Sequence, residues 1–167
     1  MEWKKKKASD APSPAGAPVR KRELLLYVED EDPNWEVAEL GLRDRYEMLR
    51  ARNAREAFAL MEKNEFALVL MDIQLSGSDL NGIEITQILK SLFAGEKPTY
   101  ARDVSRPELP IIFVTAYTAR YNKDMLMKMG GADLISKPVN FTNLSLAISR
   151  LLMRQTTAKL RSMKGEE

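Results

Sequence analysis

Five short apolar runs recur along this chain, and each is followed by a stretch of helical character. "ELLLYV" (23–28) reads as a buried strand, and 33–45 as a helix with Val37, Leu40 and Gly41 on one side and Pro33 in its first turn. "YEMLRA" (46–51) reads as the second strand. Residues 53–64 set Ala54, Ala57, Phe58 and Met61 at i, i+3, i+4, i+7, the apolar stripe of an amphipathic helix. "FALVLMD" (66–72) is the third strand, followed by a helix over 83–93 whose inner face is Ile85, Ile88, Leu89 and Leu92. "IIFVTA" (111–116) is the fourth, with a helix over 119–129 that stops at Gly130-Gly131, a suitable C-terminal cap. "ADLISK" (132–137) is the fifth, and a last helix over 140–154 turns Leu144, Ala147, Ile148 and Leu151 inward. The third and fourth runs are apolar on both faces, so they must be covered on both sides. Five strand–helix units in series then imply an α/β fold, a doubly wound parallel sheet with helices on both faces.

The chain has 167 residues, 44% hydrophobic and 30% charged, enough for one domain with a core and some tail. It has no cysteine and no histidine. Disulfides, thiolate metal sites, histidine bases and histidine zinc ligands are therefore all excluded. No apolar run approaches the roughly 20 residues that span a bilayer, and the lysines near Met1 lead into Ala, Ser and Pro instead of an apolar signal core. The reading is a soluble, unsecreted, cytoplasmic protein with no transmembrane segment. Residues 1–22 carry seven Lys/Arg (Lys4 to Lys7, Arg20, Lys21, Arg22) against Glu2 and Asp10, net +5, while the remainder holds 19 basic and 22 acidic residues. This Pro/Ala-rich stretch is expected to be a disordered tail. It serves either as a solubilising extension or as a basic clamp for anionic lipid, nucleic acid or an acidic partner.

The third strand ends on a lone carboxylate, Asp72. In a parallel α/β sheet the ligand site lies beyond the carboxyl ends of the strands, near the point where strand order reverses. The same edge collects Glu29 and Asp30 from "YVEDED", Thr115 from "FVTA" and Lys137 from "ISKP". Taken singly each has a bland account: a cap, a solvated acidic loop, a strand threonine, a surface lysine. Together they describe a site. Two carboxylates about 4 Å apart repel by about 4 kcal/mol at an effective dielectric of about 20, so such a cluster wants a divalent cation. All-oxygen ligands favour a hard ion such as Mg²⁺, which keeps water and phosphate oxygens in its shell. A carboxylate beside it can take a phosphoryl group, with Lys137 balancing the incoming charge and the Thr115 hydroxyl donating to a phosphoryl oxygen.

The ordered set "YVEDED", "LMDIQ", "IIFVTA", "ISKPV" resembles the receiver domain of two-component response regulators over residues 23–155. The resemblance implies a CheY-like, flavodoxin-like sheet of order 2-1-3-4-5. By position it implies Asp72 as phosphoacceptor, Glu29 and Asp30 as the acidic Mg²⁺ pair, Gln74 as donor of a backbone carbonyl to the metal, Thr115 as switch hydroxyl and Lys137 as phosphate contact. It also implies a cis bond before Pro138. The partners implied are a histidine kinase or a histidine phosphotransfer protein, and a downstream protein whose affinity changes on phosphorylation, with homodimerisation possible. The domain would be a phosphoacceptor that assists its own phosphorylation and dephosphorylation, and not a separate enzyme. A shuttle returning phosphoryl to a histidine phosphotransfer partner, or an unphosphorylated scaffold, are the alternative uses. An aspartate-based phosphatase is disfavoured, because Gln74 stands where such enzymes need a second aspartate. The last residues, 156–167, are read as a short tail with no DNA-binding unit, which makes a stand-alone receiver.

Three places depart from the family pattern: the 73–81 loop, Leu134 and the 94–110 connection. The 73–81 loop is two residues longer than usual, with Ser76 where proline is common. Leu134 stands where the family has an aromatic switch residue, which points to signalling from Thr115 through backbone and loop movement. Tyr117 and Gln74, each two residues past a site residue, would flank the path of an attacking water. Residues 94–110 form an unusually long connection without apolar period, either functional or disordered. On the fourth helix Met125, Leu126 and Met129 are expected in the core, with Met127 on the outer side as a surface methionine or a contact.

Overall fold

The computed structural model describes residues 20–165; the tail expectation for residues 1–19, including Lys4 to Lys7, lies outside the described residues. Five parallel strands, β1 (Leu24–Val28), β2 (Glu47–Ala51), β3 (Leu68–Met71), β4 (Ile111–Thr115) and β5 (Asp133–Ser136), form one sheet in the order β2-β1-β3-β4-β5. This is the order expected. The helices are α1 (Asp32–Leu42), α2 (Ala54–Lys63), α3 (Gly82–Leu89), α4 (Lys123–Lys128) and α5 (Phe141–Met163).

Alternation along each strand divides the core into two layers. Leu26, Val28, Val69, Met71, Ile111 and Phe113 face α2, α3 and α4, while Leu25, Tyr27, Leu68, Leu70, Ile112 and Val114 face α1 and α5. Both faces of β3 and β4 are therefore apolar for a structural reason, as their sequences require.

The helices differ from expectation at their ends and in two facings. Val37 and Leu40 on α1 are 55% and 62% exposed; Ala38 and Leu42, one turn apart, face the sheet instead. Gly41 turns toward α5, where a Cβ would lie 2.7 Å from the Phe141 ring, so its lack of a side chain lets that ring pack. Helix α3 stops at Leu89 and not near Phe93, and Leu92 is exposed. The cause is Ser91, at φ 59°, together with Lys90, whose Nζ donates to the carbonyls of Pro107 (2.7 Å) and Leu109 (2.5 Å). Helix α4 begins at Lys123 and not near Ala119, because the Asn122 side chain accepts from the Met125 N–H (2.8 Å) and sets the N-cap there. Its facing is corrected in part: Leu126 and Met129 pack inward as expected, but Met127 joins them against the core and Met125 is exposed. Gly130, at φ 107°, makes the left-handed turn that closes α4. Helix α5 runs on to Met163 instead of ending near Arg154, so residues 155–163, expected mostly as tail, are helical; nothing in the sequence before Gly165 breaks them.

Residues 94–110 are packed. Ala101, Val104 and Leu109 are buried, and a 3₁₀ turn at Thr99–Ala101 lies against α2. The Tyr100 ring is tilted against Phe58 (5.9 Å) beneath the Arg55 guanidinium (4.6 Å), and its hydroxyl donates to Asp79 Oδ1 at 2.6 Å. The Arg106 side chain donates to the Met61 carbonyl (3.0 Å). Three buried side chains and these polar anchors hold the segment without any regular period, which is why its sequence carries no periodic signal.

Candidate functional site

Strand order reverses between β1 and β3, the two strands whose ends carry the acidic residues. Val28 pairs with Met71 in the register, and the Asp72 N–H donates to the Val28 carbonyl (3.0 Å). Glu29 and Asp72 therefore leave adjacent strands side by side. On the other flank Thr115 pairs with Ser136, and the Lys137 N–H donates to the Thr115 carbonyl (3.0 Å). The Lys137–Pro138 peptide is cis, as expected.

Side chains converge across this edge. Lys137 Nζ lies 2.8 Å from Asp72 Oδ2 and 2.5 Å from Glu29 Oε2. One carboxylate oxygen from each of Glu29, Asp30 and Asp72 falls within a 4.8 Å group. Glu29 is fully buried, Asp72 is 6% exposed, and Asp30 is half-buried. Burial pushes the Asp72 carboxyl up to about 6, with the Lys137 ammonium opposing and the Glu29 charge adding to the rise. Burial pulls Lys137 down, but Asp72 and Glu29 outweigh it and hold the ammonium above its ordinary range.

This donor set fits a hard divalent cation. All three ligands are carboxylate oxygens, and their spread is close to the about 4.2 Å that separates opposite ligands at Mg–O bonds of about 2.1 Å. One lysine set between two buried carboxylates leaves a surplus negative charge, and a cation would balance it.

Thr115 is fully buried, and its Oγ1 accepts from the Tyr117 N–H (3.1 Å), which ties the hydroxyl to the loop that follows β4. Tyr117 itself is exposed. Gln74 is exposed on the loop after Asp72. Leu134 pairs with Phe113 across the sheet and packs, half-buried, against the α2–α3–α4 side of the core.

Other residues build the site and were not foreseen. Arg50, at the end of β2, donates from Nε to the Glu29 carbonyl (2.9 Å) and from Nη2 to the Asp30 carbonyl (3.0 Å), while Nη1 pairs with Asp32 (2.5 Å). It thus braces the backbone that carries the acidic pair. Its signal was its place at a strand's carboxyl end. Gly82 opens α3 against the site: a Cβ there would lie 1.9 Å from the Asp72 carbonyl oxygen. Asn81 caps α3 in a capping box with Glu84, so the sequence "NGIE" holds both the cap and the close approach. The 73–81 loop is pinned at three points. The Ser76 N–H donates to Asp30 Oδ2 (3.0 Å), Ser78 Oγ accepts from the Ala54 N–H (3.0 Å), and Asp79 accepts from Tyr100. Tyr27, buried in β1, donates its hydroxyl to Glu29 Oε2 (3.0 Å); burial, then the Glu29 charge, raise its pKa far above the ordinary phenol value, so it remains a donor.

A family model described as the response regulator receiver domain matches residues 25–149. The chain is 31% identical over 117 residues to the polar-differentiation response regulator DivK of Brucella anthropi, an alignment covering 70% of this chain and 85% of that one. It is 31% identical over 131 residues to the phosphate regulon transcriptional regulatory protein PhoB of Pseudomonas aeruginosa, covering 78% of this chain but only 52% of PhoB. Among solved structures, the CheY-like response regulator receiver domain protein from Methanospirillum hungatei superimposes with a TM-score of 0.68 at 27% identity, over 83% of this chain and 99% of that one. The chain belongs to the response regulator receiver domain family, the signalling domain of two-component systems, whose general function is phosphorylation on an aspartate.

Proposed function

We propose that Asp72 is the phosphoacceptor, that Glu29, Asp30 and Asp72 hold Mg²⁺ with a backbone carbonyl from Gln74, and that phosphorylation switches affinity for a protein partner. The observation that carries this reading is the convergence of Lys137 Nζ on Asp72 (2.8 Å) and Glu29 (2.5 Å) beside the Asp30 carboxylate. An Asp72 carboxylate oxygen attacks phosphorus as the bond to the donor's nitrogen or oxygen breaks, and the leaving group takes up the electron pair. The cation, when bound, neutralises charge on the transferring phosphoryl oxygens. Lys137, released from the unphosphorylated carboxylate, stays with the phosphoryl group, and the Thr115 hydroxyl leaves the Tyr117 N–H to donate to a phosphoryl oxygen. Because Leu134 offers no ring to rotate, the signal passes from Thr115 to the Tyr117 loop and the start of α4.

The donor is a histidine kinase or a histidine phosphotransfer protein, by extension from the family. Among the described residues every strand and helix belongs to this one sheet and its covering helices, and no helix is long and apolar enough to cross a membrane. The receiver is read as beginning near residue 23 and closing with α5, and its cytoplasmic placement, like its phosphoryl donor, is an extension from the family. The test is intact-protein mass after incubation with acetyl phosphate, with and without Mg²⁺, for wild type and Asp72→Ala. A Mg²⁺-dependent gain of one phosphoryl group in wild type alone is expected. A gain retained in Asp72→Ala, or none in wild type even with a cognate kinase, rejects the assignment and leaves the unphosphorylated scaffold.

A further inference from the structure

The Tyr27 hydroxyl has no part in the chemistry above, yet it lies inside the site. Tyr27 and Glu29 are two residues apart at the end of β1, so they project to the same face of the sheet. The Tyr27 ring is buried in the layer covered by α1 and α5, with Trp35 beside it at 6.4 Å, and its hydroxyl reaches Glu29 Oε2 at 3.0 Å. Lys137 Nζ takes the same oxygen at 2.5 Å. The other oxygen, Oε1, accepts from the Glu31 N–H at 3.0 Å.

A carboxylate offers about four lone-pair positions, two on each oxygen. Two donors occupy Oε2 and one occupies Oε1, so one position on Oε1 is left to bind a cation. Glutamate also has one more rotatable bond than aspartate, and that freedom must be removed before the carboxylate can act as a defined ligand. Lys137 cannot be the sole restraint, because it also serves Asp72 and moves with the phosphoryl group in the reading above. The Tyr27 ring, buried and fixed by packing, holds its hydroxyl in one place.

We propose that Tyr27 is a positioning residue for cation binding: its hydroxyl anchors Oε2 of Glu29 and leaves Oε1 as the oxygen presented to the divalent cation. Tyrosine two residues before the acidic pair and glutamate at its first position thus work as a unit. The inference rests on the reading that Glu29, Asp30 and Asp72 bind Mg²⁺.

The experiment is calorimetric titration of MgCl₂ into wild type, Tyr27→Phe, Glu29→Asp and the double variant. Phenylalanine keeps the buried ring and removes only the hydroxyl. Tyr27→Phe is expected to weaken Mg²⁺ binding by about tenfold, the lower end for losing a partner that orients a metal ligand. Added to Glu29→Asp it should change Kd by less than about twofold, since the shorter carboxylate ends a methylene short of the hydroxyl and the two effects are not additive. At saturating Mg²⁺, phosphorylation of Tyr27→Phe by acetyl phosphate should return to within about twofold of wild type, because lost affinity and lost chemistry separate there. A Tyr27→Phe Kd equal to that of wild type overturns the proposal. So does an equal tenfold loss in the Glu29→Asp background, which would place the hydroxyl's effect on packing. Should Tyr27→Phe lose its cooperative unfolding transition, the same titrations in trimethylamine N-oxide, which favours the compact state of every variant alike, give the second comparison: a tenfold loss that vanishes with Glu29→Asp supports the anchored glutamate, and a Kd equal to that of wild type rejects it. Wild type that binds no Mg²⁺ at all rejects the cation reading itself, an outcome distinct from the others.

Discussion

Asp72→Asn is predicted to stabilise the metal-free protein at pH 8. Burial beside Glu29 raises the Asp72 carboxyl from its ordinary 3.8 to about 6, despite the lysine at 2.8 Å. At about 1.4 kcal/mol per tenfold change in proton affinity, ionising Asp72 in the folded state costs roughly 3 kcal/mol more than in the unfolded chain. The sign follows from proton linkage. The folded protein binds this proton more tightly than the unfolded one, so the group's full contribution is present below about pH 4 and is lost as pH rises through about 6. An asparagine carries no charge to bury and its side-chain oxygen can still accept from Lys137. The expected gain at pH 8 is roughly 2–3 kcal/mol, or roughly 5–10 °C in Tm for a chain of this size. At pH 5 wild-type Asp72 is mostly protonated when folded, and the gap should shrink to about half. Urea unfolding of both proteins with a chelator, at each pH, measures it. Saturating Mg²⁺ should stabilise wild type and erase much of the difference, since a cation at about 100 times its Kd adds about 2.7 kcal/mol. An Asp72→Asn protein no more stable than wild type at pH 8, or a gap that does not change with pH, would refute the account of a strained buried charge.

Lys137→Ala should have the opposite effect: Glu29 and Asp72 lose their shared cation, and metal-free stability at pH 8 should fall by about 3 kcal/mol, with partial recovery in Mg²⁺, as read by the same urea curves. Gly82→Ala places a Cβ 1.9 Å from the Asp72 carbonyl oxygen, so α3 must move; a loss of at least about 2 kcal/mol and weakened phosphorylation by acetyl phosphate are expected, and near-wild-type behaviour in both would show that the close approach is not required. Tyr117→Ala should change the lifetime of the phosphoryl group at least about threefold without altering Mg²⁺ affinity, because Tyr117 is exposed on the loop tied to Thr115 Oγ1; unchanged decay of the phosphorylated protein would count against a role in water access.

Much of this receiver was legible in the chain because two periodicities are unambiguous. Apolar runs such as "FALVLM" and "IIFV" have no polar face to turn to solvent, so they fix a sheet covered on both sides, and the end of an apolar run marks where a charge must emerge. Asp72, Glu29, Asp30, Thr115 and Lys137 could be placed at one edge on that ground. Facing on α1 was not legible, because Val37 and Leu40 are as apolar as Ala38 and Leu42, and only contact with β1, β3 and α5 selects the inner pair. The end of α3 was set by its own Lys90 reaching out to the carbonyls of Pro107 and Leu109 on a distant segment, and the start of α4 by a local cap in which Asn122 accepts from the Met125 N–H. The packing of 94–110 likewise depends on Tyr100, Arg55 and Asp79 meeting from three separate segments.

The sequence by itself determined the number of strands, their parallel direction and which ionisable groups share an edge, since these follow from burial and chain direction, while the order of the strands in the sheet came from the family resemblance. Tertiary structure decided what those groups do to one another. Lys137 is 108 residues from Glu29 and 65 from Asp72, yet it forms an ion pair with both. The rise in the Asp72 carboxyl, the bracing by Arg50 and the anchoring of Glu29 by Tyr27 all depend on distances that register across β1, β2, β3 and β5 sets, and no local pattern encodes a distance between strands.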